Sequence, residues 1–547
     1  VALTFTLFAG TIILLLAVAF YLGGRVAKLE EDVASLRTAL HTGRAQVQPG
    51  SGDVSAEAAP TDGTLAALFE RFVGGRLLIW VGGVALAAAG IFLIRHSIEL
   101  VTPEARMIAA ALLGVVLIGV GEYARKGWLL SGDVRIGQAL VGAGIAVLYA
   151  TAYGSHLLFG LIGSGTAAIL MVLITAAALG LAFRHGTATA ALGLVGGFAT
   201  PLLVGERDAG ALPVLAYLAL LDLAIFAIAW RRGWTWLVAA AVAASFAWTG
   251  YFILDDARDA LAAGLFAAIL GIVASLPRTR QRLTLAPPAI VALMELAILV
   301  GRPEIGPAAW LLFGAVAVGS LAIALIRPEQ RLLPPGALAV ALLLLAVQAA
   351  VGEDPFAPAA AMVVTLLFAG ACAPAVRRGD GIAVVTASAA LAGPLLIFRL
   401  FRPELLAPSL YGALALVLGA AALATLWLRH SGTRERTGKS GLVASATAAL
   451  LLALGAHDLA PRDLVSGAWL LLAIALLLAG IRVGDKALRV AGLALLTATV
   501  LKVFLVDAAA LEGVLRILSF LGLGVALIGI GLLYGKVLGR EAKPAQA

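Results

Sequence analysis

Charge is scarce in this sequence. Asp, Glu, Lys and Arg make up 13% of its 547 residues, roughly half the share that keeps an ordinary soluble domain in water. That excludes a water-soluble globular fold. Cysteine is scarcer still. Cys372 stands alone, so disulfide frameworks, zinc clusters and covalent haem attachment are ruled out. The histidines, His41, His96, His156, His185, His430 and His457, are scattered and form no i, i+4 pair. No metal site, cofactor or catalytic constellation is expected, and no glycine-rich phosphate loop follows a strand.

What is present in their place is length of hydrophobic run. The composition is 62% hydrophobic, and runs of about 18–22 residues recur from Ala2 to Tyr534, each long enough to cross a bilayer core as one helix. Hydropathy predicts an all-α, polytopic membrane protein of about nineteen spans. The first lies near residues 2–23 and the last near 514–534. A short run lies near 187–204, and a gap at 154–163 suits a segment, His156 to Gly160, lying in the membrane interface. The 62 glycines suit helices that approach closely in lipid.

A net charge of +8 would suggest nucleic acid in a soluble protein, but here the surplus sits in loops. When sides are alternated span by span, Arg125/Lys126, Arg231/Arg232, Arg278/Arg280/Arg282, Arg377/Arg378 and Arg429/Arg434/Arg436/Lys439 fall together. Asp255/Asp256/Asp259 and Glu353/Asp354 fall on the other side. Lys and Arg accumulate in cytoplasmic loops, which predicts an inner-membrane protein with its N-terminus outside and its C-terminus cytoplasmic. Membrane lipids, not nucleic acid, are the expected surroundings.

Domain organisation follows from composition. Residues 1–23 form a membrane anchor and 24–42 a short cytoplasmic coiled coil; 43–63 are a flexible linker, 64–535 the polytopic body and 536–547 a cytoplasmic tail. In the second segment Val26, Leu29, Val33, Leu36 and Leu40 are spaced 3,4,3,4, the a/d seam of a coiled coil. So short a seam is marginal alone. It fits self-association or a partner protein, and equally an amphipathic helix lying on the bilayer. The linker is rich in Gly, Ser, Ala, Pro and Asp, without periodicity.

The body repeats itself. A run at Trp80–Gly90 with Arg95, followed by Arg106 and a second run to Tyr123, is echoed near the other end by Trp469–Gly480, Arg482, Arg489 and the run to Tyr534. Each unit reads as a helical hairpin with glycines on one face and arginine at the turn. Duplicated hairpins are common in transporter folds, and suit a passive helical array as well. The segments Gly74–Gly83, Gly196–Leu203 and Leu515–Gly524 resemble the bacterial multi-spanning proteins catalogued as domain-of-unknown-function family 2339. The preceding coiled coil and linker fit that layout. The resemblance implies a polytopic membrane fold and carries no activity.

Functional candidates are polar groups at membrane depth. Asp222 and Glu295 fall near the middle of their spans, where a carboxylate costs several kcal/mol unless protonated, paired or wet. The alternative is a protonated carboxyl bonded to a neighbouring helix. Gly196, Gly197, Thr200 and Pro201 form a second candidate, because proline removes a helix bond and paired glycines allow bending. A discontinuous helix there would expose backbone dipoles to a substrate or ion, whereas a packed kink would not. Gln138 and Tyr149, about three turns apart on one face, form a third, together with Tyr153; plain interhelical bonding is the alternative. Arg399, Arg402, Lys502 and Asp507, near span ends, are expected to snorkel.

Three functions remain open on this reading. Convergence of the polar sites favours a transporter or lipid-handling protein. Their dispersal favours a noncatalytic scaffold or accessory subunit. A transferase acting on a lipid-linked substrate would place a carboxylate in an outer loop, such as Glu99, Glu104, Asp255 or Asp256.

Overall fold

The computed structural model describes residues 84–89, 102–124, 134–205, 210–276, 288–352, 354–432 and 439–503. The anchor, coiled coil, linker, final span, tail and most of the second predicted span lie outside them. Besides a helical stretch at 84–89, the described residues contain sixteen α-helices, and each of these coincides with one predicted span to within a few residues. Fourteen are long and apolar enough to cross a membrane.

The chain divides into two compact units. The first, ending at Asp255, holds α1 (Pro103–Ala124), α2 (Val134–Tyr153), α3 (Ser164–His185), α4 (Thr187–Val204), α5 (Ala211–Arg232) and α6 (Thr235–Asp255). Sequential pairs pack most closely, α1 with α2 and α3 with α4. The buried face of α1 shows why. Met107, Ala110, Gly114, Leu117, Gly121 and Ala124 follow a 3,4 spacing, which draws one seam down the helix. Where Gly114 and Gly121 meet Gly144 and Gly137 of α2, a Cβ at Gly144 would lie 2.6 Å from the Gly114 carbonyl oxygen, and one at Gly137 3.0 Å from that of Gly121. Only glycine allows backbones to approach this far.

The turn between α3 and α4 is the single residue Gly186, whose φ of 89° is a conformation other residues adopt only with strain. After α2, residues Gly154–Leu158 form a π-helical turn. There the two ring nitrogens of His156 face the carbonyls of Ile162 and Val204, each at 3.0 Å. This ties the turn to the end of α4.

The second unit, from Asp256, holds α7 (Ala257–Ser275), α8 (Pro288–Val300), α9 (Pro307–Ile326), α10 (Leu333–Val351) and α11 (Ala357–Arg377). They are followed by α12 (Gly381–Phe401), α13 (Pro408–Gly432), α14 (Lys439–Leu459), α15 (Val465–Val483) and α16 (Lys486–Lys502). Its tightest neighbours are again sequential: α7 with α8, α11 with α12, α13 with α14 and α15 with α16. The α13–α14 hairpin repeats the glycine device, with Gly412 and Gly455 each facing the other's carbonyl. Asp256, Asp380 and Asp485 cap α7, α12 and α16 through the amides of Arg258, Ile382 and Ala487, satisfying donors that a helix start leaves open.

The end residues expected to snorkel are instead bonded within the protein. Arg399 pairs with Asp458, Arg402 donates to Glu404 and to the Gly352 carbonyl, and Lys502 donates to Ser466 at 2.7 Å. Asp507 lies outside the described residues. Large apolar side chains such as Leu220, Leu223, Leu311 and Trp230 are exposed, which suits helices whose outer faces meet lipid.

Candidate functional site

The polar groups of the first unit gather around α4. Gly196 and Gly197 are there for close packing. A Cβ at Gly196 would overlap the ring of Tyr149 from α2, and one at Gly197 would come within 2.9 Å of Thr175 on α3 and 3.0 Å of Leu221 on α5. Three helices thus press on one turn of α4.

Pro201 does not break this helix. α4 runs unbroken to Val204, which favours the packed alternative over a discontinuous span. The physical reason lies in the acceptors. Proline at 201 has no N–H for the carbonyl four residues earlier, that of Gly197, and the Tyr217 hydroxyl donates to this oxygen at 2.9 Å. On either side, Thr200 Oγ1 donates to the Gly196 carbonyl at 2.8 Å and Trp248 Nε1 to the Phe198 carbonyl at 3.1 Å. Three successive carbonyls therefore accept side-chain bonds, two of them from α5 and α6. The Tyr149 hydroxyl lies 2.6 Å from that of Thr175, and the hydroxyls of Thr175 and Thr200 lie beside that of Tyr217. The result is a small internal cluster of hydroxyls.

Asp222 belongs to the same helices. On α5 the buried positions Leu215, Leu218, Leu221, Asp222 and Ile225 form one helical stripe, and the carboxylate occupies its middle. It is 4% exposed, whereas its neighbours Leu220 and Leu223 are 69% and 68% exposed. Ser245 of α6 donates to Asp222 Oδ2 at 2.7 Å. Oδ1 is buried and has no hydrogen-bond partner among the described residues. Ser245 and Trp248 stand about one turn apart on α6, so one face of that helix holds both the carboxyl and the α4 carbonyl row. An open carboxyl oxygen at this depth is a ready acceptor for a proton, a cation or a ligand N–H or O–H.

The other sequence candidates are distributed differently. Tyr149 joins the cluster. Gln138, on the same helix, lies beside the Gly186 turn, near the contact of buried His185 Nε2 with half-buried Glu122 Oε1 at 2.8 Å. Glu295 is half-buried on α8 of the second unit. Ser245, Thr175, Tyr217 and Trp248 were not singled out from sequence. Among the described residues no three His, Cys, Asp or Glu side chains are grouped to hold a metal.

No curated protein and no solved structure matches the chain. One family does, and over most of its length. The sequence model of a family described as "Predicted membrane protein (DUF2339)" matches residues 74–464 and 464–537. The chain belongs to this family of predicted membrane proteins, as its glycine-rich segments and array of apolar helices led one to expect.

Proposed function

We propose that this protein is an inner-membrane transporter or lipid-handling protein, and that Asp222 is the centre of its site. The observation that supports this reading is the buried, half-satisfied carboxyl. One oxygen is held by Ser245 and the other is open, next to a helix whose carbonyls are bonded by side chains from its neighbours. A merely structural carboxyl gains nothing from an unfilled oxygen, since an apolar residue of similar size would pack there without that cost. A site that takes up and releases a proton or a ligand group needs one.

The test is transport by the whole protein in vesicles. Proteoliposomes containing a pH-reporting dye are exposed in turn to amino acids, sugars, organic acids and a short-chain phospholipid. The expected result is that at least one solute shifts the internal pH with the native protein, and that Asp222→Asn removes the response while the folded amount is unchanged. No response to any solute, or an equal response from Asp222→Asn, overturns the reading.

A further inference from the structure

The second unit contains a polar cleft that none of the preceding argument uses. At the ends of α10 and α12 and the start of α11, a cavity of about 260 Å³ is lined by Gln348, Asp354, Arg402, Phe398, Pro355 and Leu405 among others. This is smaller than pockets for drug-sized molecules, which start near 300 Å³.

Its polar groups are held apart from one another. Asp354 is fixed by Trp310 Nε1, which donates to Oδ2 at 2.7 Å, and by the Phe356 amide, which donates to Oδ1 at 2.8 Å. Arg402 is fixed through Nε by Glu404 at 2.7 Å and through Nη1 by the Gly352 carbonyl at 2.8 Å. Its own backbone amide and Arg402 hold the Glu404 carboxyl below its ordinary pKa, so that pair stays charged. Asp354 and Arg402 thus face one cleft with opposite charges and form no ion pair with each other. Gln348 supplies the second observation. It is 8% exposed, and its amide makes no hydrogen bond with the described residues, although it lines the cavity. The amide is not sealed off: its nitrogen and oxygen reach the cleft, where they can donate to and accept from a ligand.

We propose that this cleft binds a small zwitterion, its ammonium at Asp354 and its oxyanion at Arg402 and Gln348. Phe398, Leu405 and Pro355 take the apolar remainder. A free α-amino acid and the headgroup of an ethanolamine phospholipid share this chemistry. The assignment is independent of the role given to Asp222.

Calorimetric titration of the purified full-length protein in detergent tests it. The probes are L-leucine and glycerophosphoethanolamine, with acetate and methylamine as single-charge controls. One of the two zwitterions is expected to saturate, and each control to bind at least about tenfold more weakly. Leucine identifies a free solute and glycerophosphoethanolamine a lipid headgroup. Gln348→Met removes no internal hydrogen bond and so leaves the fold intact; it is expected to weaken binding about tenfold. Asp354→Asn should do likewise for either zwitterion. Lack of saturation by both zwitterions up to about 10 mM, equal affinity in Gln348→Met, or controls that bind as well as the zwitterions would overturn the proposal.

Discussion

Tyr217 and Pro201 act as a pair. The proline takes away the amide that would bond the Gly197 carbonyl, and the tyrosine hydroxyl replaces it at 2.9 Å. Tyr217→Phe leaves that oxygen without its donor inside the protein, a loss of about 1–3 kcal/mol. Pro201→Ala restores a backbone amide at that position. In the double variant Tyr217→Phe/Pro201→Ala most of the loss should return, as coupled neighbours require. Thermal unfolding of the four proteins in detergent measures it, and purely additive effects would show that the two residues do not share the carbonyl. Part of this was legible in the sequence. Gly196, Gly197, Thr200, Pro201, Tyr149 and Asp222 stand out by residue type at membrane depth, and all six lie in the first unit on adjacent helices. Their partners Tyr217, Trp248, Thr175 and Ser245 were not legible, because a hydroxyl or indole in an apolar span is ordinary until the helix it faces is known.

At the scale of helices, hydropathy placed the ends well because several ends are fixed locally, by a capping Asp, a turn glycine or a terminal arginine. What it could not show is which glycines carry the hairpins, since that depends on the neighbouring backbone. Gly144 and Gly180 make the contrast. A Cβ on Gly144 meets the Gly114 carbonyl oxygen at 2.6 Å, whereas one on Gly180, inside α3, meets nothing within 4 Å. Gly144→Ala must push α1 away from α2 and should cost about 1–3 kcal/mol. Gly180→Ala should be neutral or stabilise by up to about 1 kcal/mol, by lowering the backbone entropy lost on folding. Unfolding midpoints in one detergent separate the two, and equal shifts would mean that the close contact does not hold the hairpin.

Across the whole molecule the informative pattern is charge at the helix ends, taken within each unit. In the first, Arg184 and Arg231/Arg232 end α3 and α5, while Asp255 ends α6. In the second, Arg377 ends α11, Arg429 lies in the last turn of α13 and Arg482 in that of α15. The turns at Asp354 and Glu404 fall at the opposite ends of their spans. Arg302, Arg399, Arg402 and Arg462 lie at the opposite ends, where they are outnumbered by the Lys and Arg of the arginine-rich ends. The arginine-rich ends should therefore be cytoplasmic. Cys372, buried in α11, gives little labelling background and is replaced by alanine. Single cysteines are then introduced at Glu404, whose side chain is 64% exposed, and at Arg378, exposed at the far end of α11. With a membrane-impermeant maleimide, Glu404→Cys should react in intact cells and Arg378→Cys only after lysis. The reverse pattern would invert the orientation. Reaction of both in intact cells would mean that α12, which joins the two positions, does not cross the membrane.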